Sequence, residues 1–231
     1  TEVHIVSHPD KIELRAGIDA LHSVIDLKTP HKLALKNLEY LAGVLLFMPE
    51  PRHILLLGTG GGSLVHFLRY HYPDSKLTTV DIDAELMDIA QQKMQLPVAG
   101  EKLAYIIDDA LHYLEVCTDQ FDLILIDLFI GTQTPGWLFE METMQRLYSL
   151  LSNRGAVAYN LLIDSDRAFT QFYKKLRNVF SEKTLCLAVE GFDNTIAYGF
   201  VHCEPGLEMA DHLQRGLELG EAHDINYIEI L

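Results

Sequence analysis

The chain has 231 residues, of which 48% are hydrophobic and 22% charged, and its formal net charge is −15 at pH 7. A chain of this length can bury a substantial core, and the composition is that of a globular protein. The negative charge argues against nucleic acid as a partner, because binding to phosphates needs a basic face. The longest apolar run, residues 41–48, is too short to span a bilayer, so we expect no membrane insertion.

The cysteines and histidines indicate neither a disulfide framework nor a metal site. Cys117, Cys186 and Cys203 are scattered and form no CxxC pair, which is typical of reduced thiols and predicts a cytoplasmic protein. His4 and His8 form the only HxxxH pair, but their segment is predicted to be extended, which holds the two side chains too far apart to share an ion. We therefore expect no metal.

The residues before Ile54 predict a small β-structure followed by a helix. The stretches HIVSH, KIELRAG and LHSVIDL indicate short strands, and residues 31–47 indicate a helix that ends at the prolines of MPEPR. A second helix pattern follows Pro205. We therefore predict three parts, which are a small N-terminal β-segment (residues 1–30), a main domain that includes this helix (31–205) and a C-terminal helix and tail (206–231).

From Ile54 onward, short β-rich runs alternate with amphipathic segments. The predicted strands are residues 53–57, 76–80, 103–107, 121–126 and 155–162, and the predicted helices lie near residues 63–72, 84–94, 110–116, 138–151 and 166–180. This alternation is typical of a parallel sheet covered on both faces. Two further runs, residues 184–190 and 195–201, have no helix between them and must therefore be antiparallel. The predicted fold is α/β, a Rossmann-like seven-stranded sheet of the methyltransferase type with five parallel strands and a terminal antiparallel hairpin.

A glycine-rich loop, GTGGGS, joins the first strand of this sheet to a helix. It contains Gly58, Thr59, Gly60, Gly61 and Gly62. The glycines can serve a tight strand-to-helix turn, or they can let a nucleoside and its attached chain touch the backbone. The loop is not a clean GxGxxG motif, so its spacing to later acidic residues is more informative.

Acidic residues follow the next two strands. Asp81, beside Ile82 in VDID, lies about twenty residues beyond the loop, where a carboxylate can accept hydrogen bonds from ribose hydroxyls. After the third strand, Asp109 or its neighbour Asp108 can accept from an adenine amino group next to Ala110, and Asp109 can also cap the following helix. A dehydrogenase usually needs no acid there. The combination favours an adenosine ligand without pyrophosphate, such as S-adenosylmethionine.

Asp127 ends the fourth strand, in LIDLFIG. It lies at the carboxyl end of a parallel strand and beside apolar neighbours, where a carboxylate can bind an ammonium group or take a proton from an attacking amine. Capping of loop amides is the alternative. We predict Asp127 as a donor-site residue and as the catalytic base.

Four further residues are weighed without a motif to support them. Asn160 and Asp164 lie at or just past the carboxyl end of the fifth strand, where they can line an acceptor pocket. Tyr159 and Tyr198 have apolar strand neighbours and are predicted to lie in the core.

The motifs ILLLGTGGGSL, VDID, IIDDALHYL and FDLILIDLFIG, in this order, resemble those of the spermidine synthase (polyamine aminopropyltransferase) family. The resemblance covers roughly residues 12–201 and implies the seven-stranded fold, a small N-terminal β-domain and a homodimer. It also implies aminopropyl transfer from decarboxylated S-adenosylmethionine to putrescine. By position, Asp81 matches the family's ribose acid, Asp109 its adenine-binding acid and Asp127 the base for the amine.

Three departures from the family pattern affect substrate choice. In the family motif GGGDGG, an aspartate contacts the ammonium group of the decarboxylated donor, whereas this chain has Gly61 at that place. Ile130 replaces the second acid of the family's DSSDP motif. The acidic, tyrosine-bearing motif before the core aligns with KLALKNL, residues 32–38, whose two lysines disfavour a diamine. The donor site is therefore kept, while much of the diamine site is missing.

The sequence thus leads to one main hypothesis and two alternatives. The main hypothesis is a transferase that uses S-adenosylmethionine or its decarboxylated form and transfers a methyl or aminopropyl group to a small acceptor, expected to be an amine such as a polyamine. The missing second acid motivates the first alternative, a non-catalytic protein that binds an adenosyl nucleoside. The second alternative, an NAD-dependent oxidoreductase, rests on the glycine loop and Asp81 alone.

Overall fold

The computed structural model describes residues 3–16, 20–48, 50–131, 133–202 and 209–230. Within these residues, ten strands form two sheets. The small sheet is antiparallel and contains β1 (Val3–Ser7), β2 (Lys11–Ala16) and β3 (Ala20–Asp26). The large sheet contains β4 (His53–Leu57), β5 (Lys76–Asp81), β6 (Leu103–Ile107), β7 (Phe121–Ile126), β8 (Leu151–Leu162), β9 (Thr184–Ala188) and β10 (Asn194–Phe200).

Helices connect and cover the strands of the large sheet. They are α1 (Lys36–Ala42), α2 (Ser63–His71), α3 (Ala84–Lys93), α4 (Ala110–Val116), α5 (Met141–Ser149), α6 (Asp166–Val179), α7 (Met209–His223) and α8 (Tyr227–Ile230). Short 3₁₀ helices, Gly43–Leu46 and Gly136–Phe139, follow α1 and precede α5. Among the described residues, the helices lack the length and apolar character needed to cross a membrane.

The large sheet has the strand order β6-β5-β4-β7-β8-β10-β9. Strands β4 to β8 are parallel, and β10 is antiparallel to both β8 and β9. The predicted fold class is therefore confirmed, including the terminal hairpin. The chain adds β5 and β6 on one side of β4 and then β7 and β8 on the other. Such a reversal opens a crevice at the carboxyl ends of the central strands, where ligands bind in sheets of this kind.

Two apolar layers cover the faces of this sheet. One layer packs α1, α2, α3 and α8 against one face, and the other packs α4, α5 and α6 against the opposite face. Side chains alternate between the layers along each strand, because successive residues of a strand point to opposite faces. Tyr198 lies in the first layer and Tyr159 in the second, each with 0% of its surface exposed, as predicted.

Several predicted boundaries differ from those observed. The helix predicted over residues 31–47 begins only at Lys36, because a turn joins Lys32 N–H to the Thr29 carbonyl and Leu35 is extended. β8 begins at Leu151, four residues before the predicted 155. At the C-terminus, α7 continues to His223, while Cys203 and the other residues of 203–208 lie outside the described part of the chain.

The ends of the chain pack against the large sheet's layers. The small sheet contacts the glycine loop through the Oγ atoms of Ser23 and Ser63, which lie 2.8 Å apart. Tyr227 and Ile230 of α8 are buried in the layer that contains α1 and α2. The three-part division at residues 30 and 205 remains a prediction.

Candidate active site

The registers of the parallel strands place the predicted site residues in one row. Leu57 of β4 pairs with Val80 of β5 and with Ile126 of β7. The next residue of each strand is therefore its neighbour at the carboxyl edge, so Gly58 lies between Asp81 and Asp127. The backbone confirms this, since Gly58 N–H donates to the Val80 carbonyl and Asp127 N–H to the Leu57 carbonyl, at 2.9 and 2.8 Å.

The glycine loop makes a tight turn from β4 into α2. Gly58, Gly60 and Gly62 all have positive φ angles, of 92°, 50° and 88°, which side chains other than glycine rarely adopt. A Cβ added to Gly58 would lie 2.1 Å from the Asp127 carbonyl oxygen, whereas one added to Gly60 would meet nothing within 4 Å. The glycines are therefore needed by the turn itself, and a side chain at residue 60 would meet open space.

Asp81 ties this loop to β5. Its Oδ2 accepts hydrogen bonds from the backbone N–H groups of Thr59 and Gly60, at 2.8 and 3.0 Å, and its Oδ1 accepts from Asp83 N–H at 3.1 Å. A carboxylate offers about four lone-pair positions, so these three bonds leave about one, on Oδ1, for a hydroxyl donor. Ile82 follows with 69% of its surface exposed, and this presents an apolar face beside the acid. A ribose with an attached aromatic base fits this combination.

Asp108 and Asp109 have different partners at the end of β6. Asp109 Oδ1 accepts from the backbone N–H groups of Leu111 and His112, so the predicted N-cap of α4 is observed. Asp108 instead lies 2.8 Å from His112 Nδ1, and this hydrogen bond raises the pKa of His112. Ala110 is buried at the start of α4. Because Asp108 is engaged by His112, Asp109 is the better candidate for an adenine contact.

Asp127 is partly exposed as a residue, but its carboxyl group is largely enclosed by the protein. The pKa of its carboxyl is raised to about 6, mainly by loss of solvation and to a smaller extent by the negative charge of Asp81. A hydrogen bond from Asn160 Nδ2 to Asp127 Oδ1, at 2.8 Å, acts in the opposite direction. A carboxylate with a pKa near 6 is mostly ionised at neutral pH, and it is a stronger base than an ordinary aspartate.

The sequence pattern gave Asn160 a possible pocket position but no partner, and it gave Asn194 no role. Ile126 pairs with Tyr159, so Asn160 is the edge neighbour of Asp127. Asn160 is fully buried, and its Oδ1 accepts from Asn194 Nδ2 at 2.8 Å. The position of Asn160 at a strand end was readable in the sequence. The contact with Asn194 was not, because it depends on how β10 pairs with β8.

Packing explains one of the departures from the family pattern. A Cβ added to Gly61 would lie 2.6 Å from Ser23 Oγ, 2.7 Å from Ser23 Cβ and 2.8 Å from Met94 Cε. The small sheet therefore fills the space that an aspartate side chain would need at this place. Ser63 Oγ also donates to the Val24 carbonyl at 3.2 Å, which fixes β3 against the loop.

We expect Gly61→Asp to destabilise the protein by about 2 kcal/mol, since overpacking a closed site costs about 1–3 kcal/mol. Urea unfolding would measure this. Adding Ser23→Gly to the variant removes both crowding atoms of that residue and should recover part of the loss. A Gly61→Asp protein as stable as the parent would show that β3 does not close this position.

The other two departures from the family pattern, Ile130 and the lysines of KLALKNL, lie at the surface of the protein. Ile130 has 71% of its surface exposed, beyond the end of β7. The two lysines of KLALKNL pair with acids near the C-terminus and in the β9–β10 turn; Lys32 with Asp224, and Lys36 with Glu190 and Glu229. Among the described residues, groups of three or more His, Cys, Asp or Glu side chains that could hold a metal ion are absent.

Comparison with solved structures supports the class of fold that the sheet order defines, a methyltransferase-type α/β fold. A probable spermidine synthase from Corynebacterium glutamicum superposes with a TM-score of 0.79 at 22% identity, covering 93% of this chain and 83% of that one. Human methyltransferase-like protein 13, in complex with SAH, superposes with a TM-score of 0.70 at 24% identity, covering 82% and 89%.

Sequence comparison gives the family. Residues 37–197 match the model of the spermine/spermidine synthase domain, and the chain belongs to this family, as the motifs predicted. A polyamine aminopropyltransferase from Neisseria meningitidis is 30% identical over 232 residues, covering 100% of this chain and 88% of the relative. The mouse eEF1A lysine and N-terminal methyltransferase is 26% identical over 215 residues, covering 86% and 30%. The chain is thus a transferase, and neither the non-catalytic alternative nor the oxidoreductase is supported.

Proposed function

We propose that this protein transfers a group from an S-adenosyl sulfonium donor to an amine, with Asp127 as the base. The observation that carries the proposal is the position of Asp127, which lies beside the glycine loop and has a carboxyl pKa raised to about 6 by loss of solvation. A base at this edge faces the same cleft as Gly60 and Asp81, where a nucleoside would lie.

In this proposal, the donor is held by groups from three strand ends. Asp81 accepts from a ribose hydroxyl, Ile82 covers one face of the adenine and Asp109 accepts from its amino group. The glycine loop lets the sulfur-bearing chain approach the backbone, because Gly60 leaves open space there. Each of these groups has a position in the structure that fits its part, and each assignment remains a proposal.

The chemistry needs mainly proximity and a neutral nucleophile. The donor supplies a carbon bonded to a positively charged sulfur. The amine nitrogen forms a bond to that carbon, the carbon–sulfur bond breaks and its electron pair goes to sulfur, and the proton leaving the amine passes to Asp127. Asp127 therefore positions the amine before the reaction and neutralises the new charge after it.

The geometry favours intact S-adenosylmethionine as the donor, and hence methyl transfer. In the family motif, the aspartate at this place contacts the ammonium group of the decarboxylated donor, and such an acid would repel the carboxylate of the intact donor. Here Gly61 is closed in by Ser23 and Met94, so this selection is absent and cannot be regained by a simple side-chain addition. The mouse relative, of which this chain matches 30%, is named as a lysine and N-terminal methyltransferase, and this name supports methyl transfer to an amine.

Aminopropyl transfer is the second candidate, and the observation that favours it is the match of 100% of this chain to 88% of a polyamine aminopropyltransferase. In that case the acceptor is a polyamine or a related amine. Against a diamine stands Ile130, an exposed apolar residue at the place of the family's second acid. A homodimer and a cytoplasmic location are further parts of the proposal that rest on the family and the cysteine pattern.

Product analysis separates the two candidates. The purified protein is incubated with each donor and with spermidine, putrescine or lysine-containing peptides, and the products are identified by mass spectrometry. S-adenosylhomocysteine with a methylated amine supports methyl transfer, and methylthioadenosine with an aminopropylated amine supports aminopropyl transfer. The absence of both products with every acceptor, while the donors bind, would contradict the proposal.

We expect kcat/KM to carry an acidic limb with a midpoint at about pH 6. Asp127 can take a proton only when ionised, and its pKa of about 6 means that the ionised fraction falls about tenfold for each pH unit below that value. Rates measured from pH 5 to 9 would test this. Protonation of the acceptor amine gives a separate limb at higher pH, and Asp127→Asn should keep that limb and lose the one near 6. A limb near 6 that persists in Asp127→Asn would assign it to another group.

A further inference from the structure

Asn160 and Asn194 form a short chain of amides that ends on Asp127. β8 and β10 are antiparallel, and their register pairs Asn194 with Leu162 and Ile196 with Asn160. Because alternate residues share a face, the two asparagines are diagonal neighbours on the same side of the sheet. Asn194 Nδ2 donates to Asn160 Oδ1, and Asn160 Nδ2 donates to Asp127 Oδ1, each at 2.8 Å.

The direction of this chain is set by its last member. An ionised carboxylate can only accept hydrogen bonds, so Asn160 must present its Nδ2 to Asp127 and its Oδ1 to the opposite side. The Nδ2 group of Asn194 donates a hydrogen bond to that oxygen. Asn160 is fully buried, so an amide turned the other way would place two oxygens against each other without water to separate them.

We propose that Asn194 is a positioning residue for Asp127 and acts through Asn160. By donating to Asn160 Oδ1, Asn194 holds the amide with its Nδ2 aimed at the carboxylate. The carboxylate is thereby kept ionised and turned towards the cleft. The consequence for catalysis rests on the proposed function, whereas the effect on the ionisation of Asp127 does not.

The groups around Asp127 show why the orientation of the Asn160 amide affects the ionisation of this carboxylate. From β5, the charge of Asp81 disfavours ionisation of Asp127, and enclosure by the protein acts in the same direction. From β4, the uncharged Leu57 carbonyl accepts the backbone N–H of Asp127. From β8, the Asn160 amide favours the ionised form. Without the amide in its present orientation, a larger share of Asp127 would be protonated at neutral pH and unable to accept a proton.

Titration of Asp127 by ¹³C NMR tests the proposal without any need for turnover. The protein is labelled with [¹³Cγ]aspartate, and the Asp127 signal is identified by its absence in Asp127→Asn. We expect a midpoint near 6 in the parent, a rise of about one pH unit in Asn160→Leu, and a smaller rise in Asn194→Leu. Thr195→Val is the matched control, because Thr195 is the next residue of β10 and points to the opposite face. Its midpoint should equal that of the parent.

An unchanged Asp127 midpoint in Asn194→Leu would overturn the proposal, and so would an equal rise in Thr195→Val. If Asn160→Leu does not fold, Asn194→Leu carries the test, since Asn194 is partly exposed. In the kinetic counterpart, the acidic limb of kcat/KM should move to higher pH in Asn194→Leu by as much as the NMR midpoint. Failure to find any transferase activity would contradict the proposed function and leave the NMR result standing.

Discussion

Asp127→Asn is expected to lower turnover by about 10²–10⁴-fold, the range typical for loss of a general base, while changing donor affinity by no more than a few-fold. The reason is that asparagine keeps the shape of the side chain, and its amide oxygen can still accept the hydrogen bond that Asn160 donates in the parent. What is lost is the ability to take the amine proton. Turnover is measured by mass spectrometry of the product, and donor affinity by isothermal titration.

Asp74→Asn is the matched control for this variant. Asp74 precedes β5 at the opposite, amino-terminal edge of the sheet, and it is almost fully exposed in an ion pair with Lys102. The same chemical change there should leave both turnover and donor affinity as in the parent. Full activity in Asp127→Asn would remove Asp127 from the reaction. Loss of donor affinity together with turnover would make it a binding group instead of a base.

The row of residues around Asp127 could be predicted from the sequence, because the sequence pattern shows where each strand ends. In a parallel sheet, residues that follow consecutive apolar runs meet at one edge, so Gly58, Asp81 and Asp127 could be placed together without coordinates. The terminal hairpin was also predicted from the sequence, since residues 191–194 (GFDN), which join its two strands, are too few for a crossover. Local patterns were sufficient wherever function depends on the ends of regular elements.

Contacts between distant segments were not readable in this way. The hydrogen bond from Asn194 to Asn160 joins residues 34 positions apart, and it depends on the register of β10 against β8. The crowding at Gly61 comes from Ser23, because the small sheet packs against the loop. Neither periodicity nor motif spacing encodes how a separate sheet docks. The sequence showed that Gly61 replaces an acid of the family motif. It did not show that β3 fills the space beside this residue.

The two lysines of KLALKNL show that the sequence alone can mislead about the charge of a surface. From the sequence they are two positive charges at the place of an acidic motif, and repulsion of a diamine is the direct interpretation. In the structure Lys32 pairs with Asp224, while Lys36 pairs with Glu229 of α8 and with Glu190. Their charge is therefore balanced by acids far away in the sequence. The difference from the family pattern at this surface lies in the C-terminal segment that covers it as much as in the lysines.

Gly58→Ala is expected to destabilise the protein by about 3 kcal/mol, through two independent effects. Gly58 has a φ angle of 92°, and a left-handed backbone costs about 1–2 kcal/mol for a residue with a Cβ. In addition, the new Cβ would lie 2.1 Å from the Asp127 carbonyl oxygen, so β4 and β7 must separate at this edge, at a cost of about 1–3 kcal/mol. For a chain of this size the melting temperature should fall by about 6–12 °C. Because the atom that must move belongs to the backbone of Asp127, the variant should also reduce turnover.

Gly60→Ala separates the two effects. Gly60 also has a positive φ angle, of 50°, but an added Cβ there meets nothing within 4 Å. This variant should therefore show only the backbone cost, with a fall in melting temperature of about 2–4 °C per kcal/mol lost. If the donor lies against the loop as proposed, it occupies the open space that the new methyl group of Gly60→Ala enters. Gly60→Ala should then weaken donor binding more than Gly58→Ala does. Equal melting temperatures for the two variants would show that the contact between Gly58 and Asp127 does not constrain the site. The close packing of β4 against β7 would then not be what holds Asp127 in place.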